Sequence, residues 1–151
     1  MTRDTAREMA VQLIFGLDHC DADREAFLDT FFSEEHFSSL KTENEELYIE
    51  YPSGKMLAYI QRIVFGVFDN LEEIDGLIQR YSSISWDIAR ISGTALAVLR
   101  VAVFEILYLE DVPVASAINS AVEIDKKYDT ADTVAFVNGC LGAFVRAENL
   151  T

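Results

Sequence analysis

Ala95-Leu96-Ala97-Val98-Leu99-Arg100-Val101-Ala102-Val103-Phe104-Glu105-Ile106-Leu107-Tyr108-Leu109 is the longest apolar stretch of the sequence, broken by Arg100 and Glu105. A helix from Gly93 to Leu109 is apolar nearly all round, and such a helix belongs at the buried centre of a bundle. The run falls short of the roughly 18 uninterrupted apolar residues that a membrane span requires. Glu110-Asp111-Val112-Pro113 ends it, because a proline disfavours helix at the residue before it.

On either side of this helix the apolar residues recur at spacings of three and four, the period of a half-buried helix. Pro113 is placed in the first turn of the next helix, which runs to Lys127 with Val114, Ala117, Ile118, Ala121 and Val122 inward. Lys126 and Lys127 suit its C-terminus electrostatically, and Tyr128-Asp129-Thr130 forms a turn. A last helix covers Ala131 to Ala147, with Val134, Val137, Leu141, Phe144 and Val145 inward. Towards the N-terminus, Leu71 to Tyr81 (Leu71, Ile74, Leu77, Ile78 inward) and Lys55 to Phe68 read as helices, with Asn70 as the junction. The stripe of the latter is Met56, Tyr59, Ile60, Ile63, Val64 and Val67, with Ser53 as its cap. Trp86 and Ile91 fall in or beside a connection. Arg24 to Phe32 reads as a helix burying Phe27, Leu28, Phe31 and Phe32, with Asp21 and Asp23 as cap candidates. Arg3 to Asp18 carries Ala6, Met9, Ala10, Leu13, Ile14 and Leu17 on one stripe behind Thr2 or Asp4. Residues 33–53 are polar and acidic and read as a short helix or turn followed by a solvated loop. The expected fold is all-α: one domain over 1–151, a compact bundle of about seven helices around a central apolar helix.

The 151 residues are 50% hydrophobic and 25% charged, ordinary for a soluble globular chain. Met1-Thr2-Arg3-Asp4-Thr5 lacks the apolar segment of a signal peptide, so the expected location is cytoplasmic. Cys20 and Cys140 form no CxxC pair and, with two histidines, make no recognisable zinc site; both are expected as reduced thiols among core residues. The net charge of −14 repels polyanions at long range and argues against non-specific nucleic-acid binding, though not against a local basic patch.

Enzyme signatures are missing. Val137-Asn138-Gly139-Cys140-Leu141-Gly142 lies in an apolar helical stripe with no preceding strand, so its glycines read as close helix packing rather than a phosphate loop. Glu34-Glu35 and Glu72-Glu73 are adjacent in sequence and so do not face each other across a helix surface. With no nucleophile–base pair, metal cluster or cofactor motif, the expectation is a non-enzymatic binding module with no cofactor and no metal. Asn119 and Asn138 interrupt apolar faces and are expected as buried amides that tie helices together. Arg100 and Glu105 are expected to find partners.

Several motifs follow one another in a fixed order. Leu99-Arg100-Val101-Ala102-Val103-Phe104-Glu105-Ile106-Leu107, Asp111-Val112-Pro113-Val114, Ala117-Ile118-Asn119-Ser120-Ala121-Val122-Glu123, Lys126-Lys127-Tyr128 and Phe136-Val137-Asn138-Gly139-Cys140-Leu141 resemble the consecutive motifs of the NusB family of transcription antitermination factors. Ala6-Arg7-Glu8-Met9-Ala10-Val11-Gln12 resembles the family's opening helix, and Asn70-Leu71-Glu72-Glu73-Ile74-Asp75 its middle section. The resemblance implies a non-catalytic factor that binds the boxA element of ribosomal RNA leaders together with NusE, the small-subunit ribosomal protein, in the RNA polymerase antitermination complex. It also implies that a homodimer can form. Its RNA surface, carried onto this chain, is Arg3, Arg7, Asp132 and Phe136, with Lys126, Lys127 and Tyr128 as neighbours that add charge and stacking. This chain departs from the pattern in a thinned N-terminal arginine cluster, in Gly93-Thr94-Ala95-Leu96, which lacks the usual acidic–basic pair, and in Ser120, Asp125 and Gly142, where a glutamate, an alanine and an aspartate are usual. The thinned arginine cluster and the net charge of −14 favour an alternative: a NusB-fold protein-interaction or self-association module that has lost RNA binding. A third reading is an accessory domain to a ribosomal RNA methyltransferase.

Overall fold

The computed structural model describes residues 1–19, 23–44, 46–82 and 90–150, and among these it contains eight α-helices and no strand. The chain forms two compact units, Met1–Phe65 and Gly66–Thr151. No helix among the described residues is long and apolar enough to cross a membrane. Cys20, Asp21 and Trp86 lie outside the described residues.

The first unit opens with α1 (Arg3–Asp18), whose N-terminus is closed by Thr2 as its hydroxyl accepts from the amide of Thr5. Every residue of the expected stripe is buried. The helix α2 (Arg24–Phe31) is capped by Asp23, which accepts from the Ala26 amide. Leu28 and Phe32 are buried, whereas Phe27 and Phe31, expected in the core, are only half-buried. Phe31 instead sits at the rim, against the rings of Phe32, His36 and Tyr48.

A short helix α3 (Glu34–Leu40) occupies part of the acidic region and raises the number of helices from about seven to eight. Ser33 caps it through the His36 amide. Below it Phe32, Phe37, Tyr48 and Tyr51 meet largely edge to face, and the Tyr51 hydroxyl donates to the Phe32 carbonyl at 2.7 Å. Aromatic edges and faces of opposite polarity attract in this arrangement, so the "loop" is held by a small core of its own. The helix α4 (Gly54–Asp69) follows with the Ser53 hydroxyl accepting from the Met56 amide, and Ile60, Ile63 and Val64 buried.

In the second unit, α6 (Gly93–Tyr108) packs against α5 (Leu71–Tyr81), α7 (Val114–Asp125) and α8 (Ala131–Ala147). Ala95 to Glu105 is buried without a break, as the all-round apolar pattern requires. The Asn70 amide donates to the Gly66 carbonyl at 2.8 Å and marks the junction into α5. Gly66 is where close approach occurs: a Cβ there would overlap the Phe104 ring. Gly139, expected in close helix packing, faces open space, and the nearest group to Gly142 is Arg146 of its own helix. Pro113 caps α7 rather than entering it, and α7 stops at Asp125, two residues before Lys127. Its inward face is Ala117, Ser120, Ala121, Ile124 and Asp125; Val114, Ile118 and Val122 are only half-buried. Cys140 is buried, its thiol 3.8 Å from the Ile78 carbonyl, and burial pushes its pKa up to about 11.

Candidate nucleic-acid interface

The seven residues singled out from the sequence fall in both units. In the first, Arg3 and Arg7 lie four apart on α1 and therefore on one face. Arg3 is half-buried, with its guanidinium 5.1 Å from the centre of the Tyr59 ring, the arrangement of a cation–π contact. Arg7 is only 3% exposed, and its guanidinium donates to the Asp4 carboxylate at 2.7 Å. Arg7 thus braces the first turn of the helix, whereas Arg3 offers part of its surface to solvent.

In the second unit, the other five cluster about the α7–α8 turn. Lys126 closes α7 with its backbone amide bonded to the Val122 carbonyl, and its ammonium donates to Glu123 at 2.8 Å. Lys127 and Tyr128 are exposed. The Thr130 hydroxyl accepts from the Thr133 amide and starts α8. Asp132 and Phe136 then stand one helical turn apart, the first exposed and the second half-buried. Two cations, a phenol and a partly exposed ring within one turn and the helix after it can neutralise phosphate and stack bases.

Asn119 and Asn138 are both exposed, contrary to the expectation of buried amides. They line a cleft of about 530 Å³ between α7 and α8, with Val122, Val134 and Ala135 as its apolar wall and the Glu123–Lys126 pair at its rim. The period of α7 explains the miss, since its buried face has rotated towards Ser120, Ile124 and Asp125.

Sequence reasoning also overlooked two carboxylates beneath the turn. Asp125, the last residue of α7, is fully buried. Asp129 is half-buried and accepts from the Ser92 hydroxyl, the cap of α6, at 3.1 Å. Burial first, and the hydrogen bond and charge of Asp129 second, push the Asp125 pKa up to about 8. Burial and the neighbouring Asp129 thus both favour the protonated form of Asp125. The signal was present: Asp125 lies four residues after Ala121 and eight after Ala117, in line with the inward stripe.

A family model described as the NusB family matches residues 4–146. Transcription antitermination protein NusB of Thermoanaerobacter sp. (strain X514) is 38% identical over 150 residues, covering 99% of this chain and 94% of that one. Among solved structures, T. maritima NusB matches with a TM-score of 0.77 at 30% identity, covering 97% of this chain and 92% of that one. A crystal structure of antitermination factors NusB and NusE in complex with dsRNA contains a chain with the same fold, with a TM-score of 0.73 at 23% identity and 96% of each chain covered.

Proposed function

The chain belongs to the NusB family, and from that premise we propose that it is a transcription antitermination factor binding boxA-like ribosomal RNA together with NusE. The observation that carries this reading is near-complete coverage by a relative bearing that name, at 38% identity. The NusB–NusE–dsRNA complex, whose matching chain shares this fold, supplies the partner classes. Exposed Lys127 and Tyr128, with Lys126, Asp132 and Phe136 around the α7–α8 turn, form the RNA-contacting set in the second unit. In the first unit, taken by itself, Arg3 is a further RNA-contacting cation, and Arg7 acts by fixing the turn that presents it. The protein works without catalysis or cofactor, in the cytoplasm beside RNA polymerase, and residues 1–151 act as one domain.

The reading is tested by gel-shift titration of a boxA-like RNA with and without NusE at low salt. A ternary complex is the expected result, and its absence overturns the proposal. The second reading, a protein-interaction or self-association module without RNA, draws on the net charge of −14 and the burial of Arg7. It predicts that partners captured by the chain survive nuclease treatment, and light scattering reports whether a homodimer is among them.

A further inference from the structure

We propose that a proton shared between Asp125 and Asp129 latches the α7–α8 turn, so that presentation of Lys126, Lys127 and Tyr128 to RNA responds to pH. The RNA consequence rests on the function proposed above; the latch itself does not.

The geometry carries the idea. Asp125 is fully buried, and neither of its carboxylate oxygens has a hydrogen-bond donor other than the proton it can share with Asp129. The Oδ2 atom of Asp129, itself shielded from solvent, lacks a donor too, while its Oδ1 accepts from Ser92. A buried acid beside a half-buried one, with one donor between them, is stable only when one of the two keeps its proton, because neighbouring like charges do not readily both ionise in such surroundings. Between them lie Lys126, Lys127 and Tyr128, and the Tyr128 and Asp129 amides both return to the Asp125 carbonyl, at 3.0 and 2.9 Å. Both ends of the turn are thus pinned to one buried residue.

Among the described residues, the charge acting on Asp125 is that of Asp129. On α7 itself, Glu123 and Lys126 pair with each other at the surface, and Lys127 is exposed. On α6, Arg100 is bound to Asp75, and it and Glu105 lie roughly 12 and 20 Å further along the helix than Ser92. On α8, Asp132 and Arg146 are exposed.

When the proton leaves to solvent, Asp125 and Asp129 become two adjacent anions. Asp129, the less buried and the one outside a helix, gives way and releases Ser92.

The test measures affinity for a boxA-like single-stranded RNA oligomer between pH 6.5 and 8.5, in the wild type and in Asp125→Asn, whose amide donates to Asp129 at every pH. With a pKa of about 8, the protonated share drops to about a quarter, and the wild-type affinity falls about fourfold while the variant stays flat. Parallel titration of the two overturns the proposal. Carboxyl carbon NMR of the wild type supplies a readout without RNA. Asp125 should titrate near pH 8, with the amides of residues 126–130 shifting in step. Titration in the ordinary carboxylate range, or amides that do not move, overturns the latch. Failure of the RNA to bind even at pH 6.5 overturns the function proposed above, and the NMR arm then decides the latch alone.

Discussion

The guanidinium of Arg100 grips the carboxylate of Asp75 through two parallel hydrogen bonds, Nε to Oδ1 at 2.9 Å and Nη2 to Oδ2 at 2.8 Å. This fork joins the central helix α6 to α5 in a place where the Arg100 side chain is only 7% exposed. Two-point contact fixes the rotation of one helix against the other, which a single ammonium does not do.

Removing Arg100 leaves the half-buried Asp75 carboxylate without the guanidinium that compensates it. Arg100→Ala should therefore destabilise the chain by about 3 kcal/mol or more, read as a lower urea midpoint. Arg100→Lys should recover only part of the loss, since it keeps the charge and gives up the second bond. Equal midpoints for the wild type and Arg100→Ala would show that the pair contributes nothing to stability.

Gly66 illustrates the same dependence on close fit. Its α-carbon sits against the ring of Phe104, which is itself buried. Gly66→Ala should cost about 1–3 kcal/mol by overpacking, despite the higher helix propensity of alanine. Pairing it with Phe104→Leu should restore part of the stability, and a double-mutant cycle in urea measures the coupling.

The buried acid pair makes stability depend on pH in an unusual direction. Unfolded, Asp125 titrates at the ordinary aspartate value of 3.8; folded, at about 8. Between those values the folded state holds one proton more than the unfolded state. This group therefore lowers stability as pH rises from about 4 to 8, by up to about 1.4 kcal/mol per unit, and no further above that. Asp125→Asn should remove this slope and be more stable than the wild type at pH 8. Urea midpoints at pH 5, 6.5 and 8 decide it, and parallel profiles for the two proteins would refute the assignment.

Much of the architecture could be read from the residues because the period of apolar side chains is a direct imprint of burial. The bounds of α1, α5 and α8 agree with expectation to the residue, and the unbroken burial of Ala95 to Glu105 follows from its apolar run. Prediction failed where polar groups carry the packing. Asp125 was not recognised as inward because an isolated carboxylate there would be unstable, and only its partner Asp129 makes the position tenable. Asn119 and Asn138 were placed inside on chemistry that their neighbours contradict. The aromatic cluster of Phe32, Phe37, Tyr48 and Tyr51 draws on residues spread over a stretch with no single period, so no helical pattern reveals it. Of the candidate site, residue types were legible and exposure was not: Arg7 and Arg3 look alike in sequence, yet one is buried and the other half-buried.

That difference separates charge from scaffold in RNA binding. Each cation that neutralises a phosphate of a single strand contributes about 0.7 to the slope of log affinity against log salt. Lys127→Ala and Arg3→Ala should each flatten that slope by about this amount. Arg7→Lys should instead lower the melting temperature, because a lysine in that buried site loses the guanidinium that donates to Asp4. Glu123→Gln should tighten binding at low salt by releasing Lys126 from its 2.8 Å pair. Phe136→Ala should weaken binding by about 1–3 kcal/mol with the slope unchanged, as loss of base stacking requires. Fluorescence titrations of a boxA-like RNA from 50 to 200 mM salt resolve these outcomes. A slope that none of the cation substitutions alters would place the phosphate contacts elsewhere on the chain.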